Sequence, residues 1–360
     1  MSPNRYKQEY EGNLKALRAE FSNYENAVVL ICSLEAWLEH KWGPDGENPG
    51  RLVKFDRFPE VDDWTPDFMV HFNTGYVLWG EHQTTFRLGE GQEEDIRQIM
   101  GYALWKGASD SQARGGNHDV IVLVKTHSDD RAAQAIDEAR KQAIANGNAP
   151  APVILLGCYP DRGANGEWYD LKWRSHHNNC RFSSPNATDV AGAPDLNSAI
   201  VDVPHCPIRI DKSVILGSER NPLINDCPPP LYTVVRIILP VVNQLLSDDE
   251  RDELRYTGKT QKTVTRRDIV SADMFEGTQV RERYIQNGLD LLEKLDLAKC
   301  DQNCEPPRYA VVIDIRKIKD LLAWISEKGA RTFVADLKRR RKTSPRAQSP
   351  AEGQGRLFEL

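Results

Sequence analysis

The stretch TPDFMVHFNTGYVLWGEHQTT, residues 65–85, contains two short apolar segments on either side of a turn that includes a glycine. Both segments have the length and composition of β-strands, so the stretch predicts two adjacent strands. Asp67 stands at the head of the first strand and Glu81 near the end of the second, which places both carboxylates at one end of a sheet. Gln83 is two residues after Glu81 and therefore points to the same face.

Two convergent carboxylates at an exposed sheet end suit a hard divalent cation such as Mg²⁺ or Mn²⁺. Such a cation polarises a phosphoryl oxygen and generates hydroxide from a bound water. The sequence therefore predicts that Asp67 and Glu81 are metal ligands. The structural alternative is that Asp67 caps its strand and that Glu81 is a solvated acid at a strand end.

The segments around these two strands extend them into an α/β unit over residues 8–160. Apolar residues three or four apart predict a helix before the strands, and RLVKFDRF predicts a further strand. After them, EEDIRQIMGYALWKG and DDRAAQAIDEARKQAIANG predict helices, while HDVIVLVKT and APVILLGCYP predict buried strands. The order α-β-β-β-α-β-α-β favours a mixed sheet flanked by helices.

This order and the residues within it resemble the PD-(D/E)XK nuclease superfamily, whose fold is restriction-endonuclease-like. Pro66-Asp67 matches the PD element, and Glu81-His82-Gln83 stands at the position of (D/E)-X-K. The resemblance implies a Mg²⁺-dependent nuclease in which Asp67, Glu81 and Gln83 are catalytic. Gln83 departs from the pattern because the family usually has Lys there, although a Gln amide can still orient a water.

The resemblance also implies a set of accessory residues. Gln98 and Tyr102 have the Q-x-x-x-Y spacing of the RecB-type branch, with ordinary helix packing as the alternative. Lys106 could supply the missing cation. Glu35 and Glu39 could add a third carboxylate, although solvent exposure is the simpler interpretation of both.

Residues 161–230 are rich in Asn, Asp, Gly, Pro and Ser and are interpreted as an irregular excursion and connector. Over 231–328 the pattern changes to helices, a hairpin and a closing helix, which resembles a winged helix-turn-helix domain. In that family the third helix enters the DNA major groove. The candidate DNA-binding residues are Arg266, Arg267, Gln279, Arg281, Arg283, Gln286 and Asn287.

The charge distribution agrees with contact to a polyanion. Residues 251–346 contain 22 Lys and Arg against 15 Asp and Glu, a net charge of +7, whereas the whole chain carries −6. An uneven distribution of solvated charge is the simpler alternative. Many winged-helix domains bind proteins or form homodimers instead, so a dimerisation module is a further interpretation.

The tail, residues 338–360, begins with KRRRK and is otherwise rich in Pro, Ser, Gly and Gln, which predicts disorder. It ends in QGRLFEL, where Gln354, Leu357 and Phe358 resemble the Q-x-x-L-F peptide that docks on the bacterial sliding clamp. A chance match of so short a motif is the alternative.

Bulk composition excludes some classes of protein. No apolar run approaches the roughly 20 residues that span a bilayer, and the N-terminus has no apolar signal core. The 7 cysteines are scattered, which favours a cytoplasmic protein over a disulfide framework or paired zinc knuckles. The sequence thus predicts a metal-dependent DNA endonuclease of restriction, defence or repair. The rival interpretation is a noncatalytic DNA-binding or adaptor protein with a degenerate nuclease fold.

Overall fold

The fold is taken from a computed structural model, which describes residues 3–43, 51–57, 59, 61, 64–73, 75–83, 90–105, 118–125, 129–162, 168–175, 208–211, 223–224, 226–272, 282–314 and 331. The expected α/β class, with a mixed sheet flanked by helices, is confirmed. The elements of the first part are α1 (Pro3–Trp42), β1 (Leu52–Asp56), β2 (Phe68–Phe72), β3 (Val77–Gln83), α2 (Glu90–Leu104), β4 (His118–Lys125), α3 (Asp129–Ala145), β5 (Val153–Arg162), β6 (Trp168–Ser175) and β7 (Ile208–Asp211).

The strands form a seven-stranded sheet whose spatial order is the order along the chain. β1, β2 and β3 pair antiparallel, β3, β4 and β5 pair parallel, and β5, β6 and β7 pair antiparallel again. Parallel neighbours need long crossover connections, and α2 and α3 lie within the two connections of this sheet.

The two faces of the sheet carry different layers of helix. Ile121 and Leu123 of β4 belong to the core that includes α1, whereas Val120, Val122 and Val124 belong to the core that includes α2 and α3. All of these side chains are buried, as expected for a central strand covered on both faces.

Two strands correct the expectation that residues 161–230 are irregular. β6 and β7 lie in this stretch and extend the sheet beyond β5. Tyr169, Leu171 and Trp173 alternate with polar residues in β6, a strand signal that the surrounding Gly, Asn and Pro residues obscured.

The second part of the chain is mainly helical with a small sheet. Its elements are α4 (Pro230–Gln244), α5 (Asp248–Thr257), β8 (Lys259–Val264), α6 (Arg266–Val270), α7 (Glu282–Lys294), β9 (Ala298–Asp301) and β10 (Arg308–Asp314). The expected hairpin is present, since β9 and β10 pair antiparallel. β10 also pairs with β8, which gives a three-stranded sheet in the order β8-β10-β9. β8 was not expected, because KTQKTV contains one aliphatic residue and so gives no apolar alternation. The expected closing helix after residue 315 lies outside the described residues.

Capping residues set the helix boundaries in this part. Ser247 forms a capping box with Glu250 at the start of α5, and Gly258 ends that helix in the left-handed region with φ 74°. Pro240 does not divide α4. A π-helical turn at Val234–Ile238 precedes this proline, which lacks the N–H of a regular helix.

The first and last parts share one core, because α4 packs on α1. Tyr24 of α1 contacts Tyr232 of α4 edge-to-face, with ring centroids 4.5 Å apart. Arg236 of α4 forms an ion pair with the buried Glu25 of α1. These contacts hold α4 against α1.

Within the part of the chain that the structure describes, no single helix is long and apolar enough to cross a membrane. The pair formed by α4 and α5, bent by 117°, meets the length and composition criteria only together.

Candidate active site

Asp67 directly precedes β2 and lies beside the end of β3 that carries Glu81. Phe68, the first residue of β2, pairs with Gly80 of β3. The Asp67 carboxylate accepts a hydrogen bond from the backbone N–H of His82, the residue after Glu81. Both residues are 5% exposed. The structure therefore brings the two predicted metal ligands together at one end of the sheet.

Backbone contacts hold Asp67 in place. Its N–H donates to the carbonyl of Gly80 at 2.9 Å, and the backbone N–H of His82 donates to Asp67 Oδ2 at 2.7 Å. The second contact is a hydrogen bond to a carboxylate and favours its ionised form. The same bond also caps the strand end, as the structural alternative for Asp67 expected. Asp67 can therefore have a structural role as well as a functional one.

Gly80 allows this register because Phe68 occupies the space that its side chain would take. A Cβ at Gly80 would lie 2.1 Å from the Phe68 ring. Phe68 in turn stacks on Phe55, with ring centroids 5.1 Å apart. Glycine in a strand interior often marks such a close approach.

Three side chains donate hydrogen bonds to Glu81. Gln83 Nε2 donates to Oε1 at 3.1 Å, while Gln98 Nε2 and the Tyr102 hydroxyl donate to Oε2 at 3.2 Å each. Gln98 Nε2 also donates to the Tyr102 hydroxyl at 2.7 Å. The residues of the E-x-Q and Q-x-x-x-Y patterns thus meet at one carboxylate.

Tyr102 also packs as a core residue. Its ring contacts Trp79 and Trp64, with centroids 5.4 and 5.5 Å away. Gly101 makes room for Trp64, since a Cβ there would lie 2.1 Å from the indole ring. Packing and hydrogen bonding therefore coexist at Tyr102, and the first orients the hydroxyl for the second.

Burial changes the acidity of the paired carboxyls. Desolvation, with a contribution from Asp226, raises the pKa of Asp67 to about 8, although the His82 N–H acts against this shift. The pKa of Glu81 is raised well above its ordinary value, first by desolvation and then by the Asp67 charge, while the Tyr102 hydrogen bond lowers it. No Lys, Arg or His charge in the described residues is among the causes of either shift.

The donor set fits a hard divalent cation that keeps part of its hydration shell. Among the described residues, no group of three or more His, Cys, Asp or Glu side chains is arranged to hold a metal ion. Mg²⁺ is commonly bound by one or two carboxylates together with waters and substrate phosphate oxygens. Asp67 and Glu81 would supply the protein's share of such a shell.

The other acidic candidates have different surroundings. Glu35 forms an ion pair with Arg57, whose side chain is 6% exposed and also donates to Cys32 Sγ at 3.1 Å. This pair explains Glu35 structurally. Glu39 is exposed on α1. Lys106, the expected migrated cation, lies outside the described residues.

The predicted DNA-binding residues are distributed over α6 and α7. Arg267, Arg283 and Asn287 are exposed. Arg266 lies 3.7 Å from Glu282 as an ion pair. Gln286 Nε2 donates to Asp290 and to the Tyr309 hydroxyl, at 2.5 and 3.0 Å, so intramolecular hydrogen bonds engage it. Gln279, Arg281 and the tail residues Gln354, Leu357 and Phe358 lie outside the described residues.

The sequence did not suggest any link between Asp226 and the paired carboxyls. Its negative charge contributes to the raised pKa of both Asp67 and Glu81. It stands in INDCPPP, where an isolated acid before a proline run indicates only a connector. No local pattern links Asp226 to residues 145 or more positions earlier, because the link is made by tertiary packing.

Comparison with protein-family models, curated protein sequences and solved structures finds no match to this chain. The case for a function therefore depends on the residues and the geometry alone.

Proposed function

We propose that the protein is a metal-dependent DNA endonuclease of the PD-(D/E)XK type that hydrolyses phosphodiester bonds. The observation that carries this proposal is the pair of buried carboxyls, Asp67 and Glu81, at one end of the sheet, with Gln83, Gln98 and Tyr102 donating to Glu81. Three antiparallel strands followed by two parallel strands with intervening helices also agree with the superfamily's core order.

Asp67 and Glu81 would hold Mg²⁺ or Mn²⁺, which would polarise the phosphodiester and lower the pKa of a bound water. Gln98 and Tyr102 keep the Glu81 carboxylate in one orientation through their hydrogen bonds. Gln83 uses its amide N–H to donate to Glu81, which leaves its carbonyl oxygen to accept a hydrogen bond from the attacking water. The reaction breaks one P–O ester bond and consumes one water.

The second part of the chain would bind the DNA as a winged helix. From α5 onward its order is helix, strand, helix, helix and hairpin, which supports this interpretation together with the sheet order β8-β10-β9. α7 would be the recognition helix, with Arg283 and Asn287 exposed on it. Arg267 at the start of α6 suits a phosphate contact.

Cleavage of supercoiled plasmid tests the proposal. The wild type, Glu81→Ala and the exposed control Asp249→Ala would be compared in Mg²⁺, in Mn²⁺ and in EDTA. We expect the wild type and Asp249→Ala to nick and linearise the plasmid with either cation, and Glu81→Ala to lose this activity. Absence of cleavage by the wild type on plasmid, branched and single-stranded DNA would contradict the nuclease proposal.

A noncatalytic DNA-binding or adaptor protein is the second candidate. Gln83 favours it, because an amide that already donates to Glu81 brings no positive charge to a phosphate. If this candidate is right, the wild type should bind DNA in a gel-shift assay without any added metal. Binding of Mg²⁺ that disappears in Asp67→Ala would count against it.

The partners of the nuclease would be DNA and, through the terminal peptide, the bacterial sliding clamp. Leu357 and Phe358 would fill an apolar pocket on the clamp with Gln354 hydrogen-bonded beside it. Tethering raises the effective concentration of a nuclease at replicating or repaired DNA, in a repair or a restriction and defence setting. Removal of residues 354–360 should then abolish binding to purified sliding clamp. Unchanged binding would assign the contact to another part of the chain.

The dimerisation module is tested separately. A fragment of residues 225–335 that forms a dimer and does not bind DNA would favour it.

A further inference from the structure

Helix α7, the recognition helix of the proposed function, packs closely on α4. Gly288 of α7 faces α4, where a Cβ at its position would lie 2.6 Å from Ile238 Cδ1 and 2.9 Å from Thr233 Cγ2. Ile238 and Thr233 are both fully buried. Glycine permits this approach because it has no side chain. The contact therefore defines the position of α7 against α4.

Helix α4 is held on α1 by a buried ion pair. Arg236 Nε donates to Glu25 Oε1 at 2.9 Å, and the guanidinium lies over the Phe21 ring, 5.6 Å from its centroid. Tyr24 adds a second tie, because its hydroxyl accepts from the backbone N–H of Ile224 at 3.2 Å, shortly before α4. Charges withdrawn from water interact with little screening, so the ion pair holds α4 at a defined place on α1.

Helix α1 is also fastened to the end of the sheet that holds the paired carboxyls. Asp56, the last residue of β1, pairs with Met69 of β2, which lies two residues after Asp67. Arg57 directly follows β1, is buried, and forms an ion pair with Glu35 of α1. The strand end beside the carboxyl pair is therefore attached to α1.

Helix α1 thus connects α7 to the carboxyl pair. Glu25, which holds α4, and Glu35, which holds the strand end, lie on one continuous helix, about 15 Å apart along its axis. Parts of a chain move relative to each other unless a large apolar interface joins them, and here one buried core includes residues of both parts.

We propose that the ion pair between Glu25 and Arg236 positions DNA for cleavage by holding α7 and the Asp67 and Glu81 sheet end as one rigid unit. This role, which rests on the proposed function, brings DNA bound along α7 to the carboxyl pair in one orientation. Glu25 and Arg236 are positioning residues, since they act through the two helices that they join.

Cleavage kinetics of a labelled duplex in Mg²⁺, with DNA affinity measured in EDTA, tests this role on the full chain. The double variant Glu25→Gln with Arg236→Gln removes the ion pair and leaves no unpaired charge between the helices. We expect it to bind DNA as the wild type does, with unchanged KM and a kcat lowered at least about tenfold, because a misplacement of roughly 1 Å can cost about a hundredfold in rate. The control Asp252→Asn with Arg255→Gln removes an exposed ion pair within α5 and should keep the wild-type kcat.

Hydrogen exchange measures whether the contact between α1 and α4 has loosened while the sheet stays intact. In the double variant, amides of α4 should exchange faster than in the wild type, and amides of β4 should exchange at the wild-type rate. Tyr24→Phe is a milder variant, because it keeps the ring against Tyr232 and removes the hydroxyl that accepts from Ile224. It should lower kcat in the same direction, so the test does not depend on the folding of the double variant.

A wild-type kcat in every variant that folds, or unchanged exchange of α4 in the double variant, would overturn this inference alone. A loss of DNA affinity in EDTA as large as the loss of kcat would overturn it too, because the ion pair would then support the DNA-binding surface itself. Absence of cleavage by the wild type would contradict the proposed nuclease and this role with it.

Discussion

The sheet end that holds Asp67 and Glu81 and the surface of the second part differ in how they treat charge. Both carboxyls at the sheet end are buried and have raised pKa values. On the second part, exposed and half-buried charges form ion pairs: Arg255 lies 3.0 Å from Asp252, and Lys262 lies 2.7 Å from Glu250.

This difference separates the two regions as candidates for function. Surface pairs are individually weak and tolerate change, typically contributing about 0.2–1 kcal/mol. Buried acids of the same sign oppose folding unless a proton or a ligand neutralises them. The sheet end is therefore the stronger functional candidate. The exposed Arg residues of the second part support DNA binding only because they lie on α6 and α7.

The largest expected effect concerns stability against pH without metal. The pKa of Asp67 rises from its ordinary 3.8 to about 8 on folding, so the folded chain binds more protons than the unfolded chain between these values. The free energy of unfolding should then fall as the pH rises from about 4 to about 8. Asp67→Asn should remove much of this fall, by up to several kcal/mol at pH 8, since each pKa unit corresponds to about 1.4 kcal/mol.

Urea unfolding in EDTA at pH 5 and at pH 8 measures this effect, and Asp249→Asn should retain the wild-type pH dependence. Equal pH dependence in Asp67→Asn and the wild type would show that folding does not raise the pKa of Asp67. The contrast between the two regions would then lose its main support.

A smaller loss of stability is expected from Gly80→Ala. The added methyl group would lie 2.1 Å from the Phe68 ring, so the ring or the strand must move. We expect the free energy of unfolding to fall by roughly 1–3 kcal/mol, the range for overpacked cores. Because residue 80 adjoins Glu81, metal binding should weaken as well. Urea unfolding and Mn²⁺ titration measure the two effects, with Gly12→Ala as control, since nothing lies within 4 Å of a Cβ there. A stable variant with unchanged Mn²⁺ affinity would contradict the tight register.

Tyr102→Phe should affect the site more than the fold. It keeps the ring contacts with Trp64 and Trp79 and removes the hydroxyl that donates to Glu81. We expect a loss of stability of about 1 kcal/mol and about tenfold slower plasmid cleavage. Cleavage at the wild-type rate would assign Tyr102 to packing alone.

The smallest effect is expected on the second part. Arg283→Ala should weaken DNA binding severalfold and reduce the slope of log affinity against log salt by about 1, because one phosphate contact is lost. Arg255→Ala, which removes an exposed Arg paired with Asp252, is the matched control. Fluorescence anisotropy with labelled duplex at several salt concentrations measures both. Identical salt slopes for the two variants would argue against α7 as the DNA-binding helix.

Local patterns in the sequence contained much of the sheet and part of the site. Alternation and apolar runs predicted the first five strands, and the two-residue spacing placed Glu81 and Gln83 on one face. One helical turn between Gln98 and Tyr102 likewise allowed both to reach a common partner, which the structure identifies as Glu81.

The remaining features depend on packing across the chain. β8 is polar along much of its length and becomes a strand because β10 supplies its partner. Asp226 has no local signal, since Tyr24 and Tyr232 determine its position from distant helices. Glu35 matched the expected spacing of an accessory acid, but the pairing with Arg57 could not be foreseen from residues 22 positions apart.

The most direct test of the central claim is anomalous scattering from crystals of the full chain grown with Mn²⁺. If Asp67 and Glu81 bind a divalent cation, a Mn²⁺ peak should lie between them, within about 2.0–2.3 Å of an oxygen of each, near the bond lengths usual for small divalent cations. The peak should vanish in Asp67→Asn crystals grown in the same way. Mn²⁺ bound elsewhere, with Asp67 and Glu81 free of metal, would contradict the claim that this carboxylate pair is a cation site.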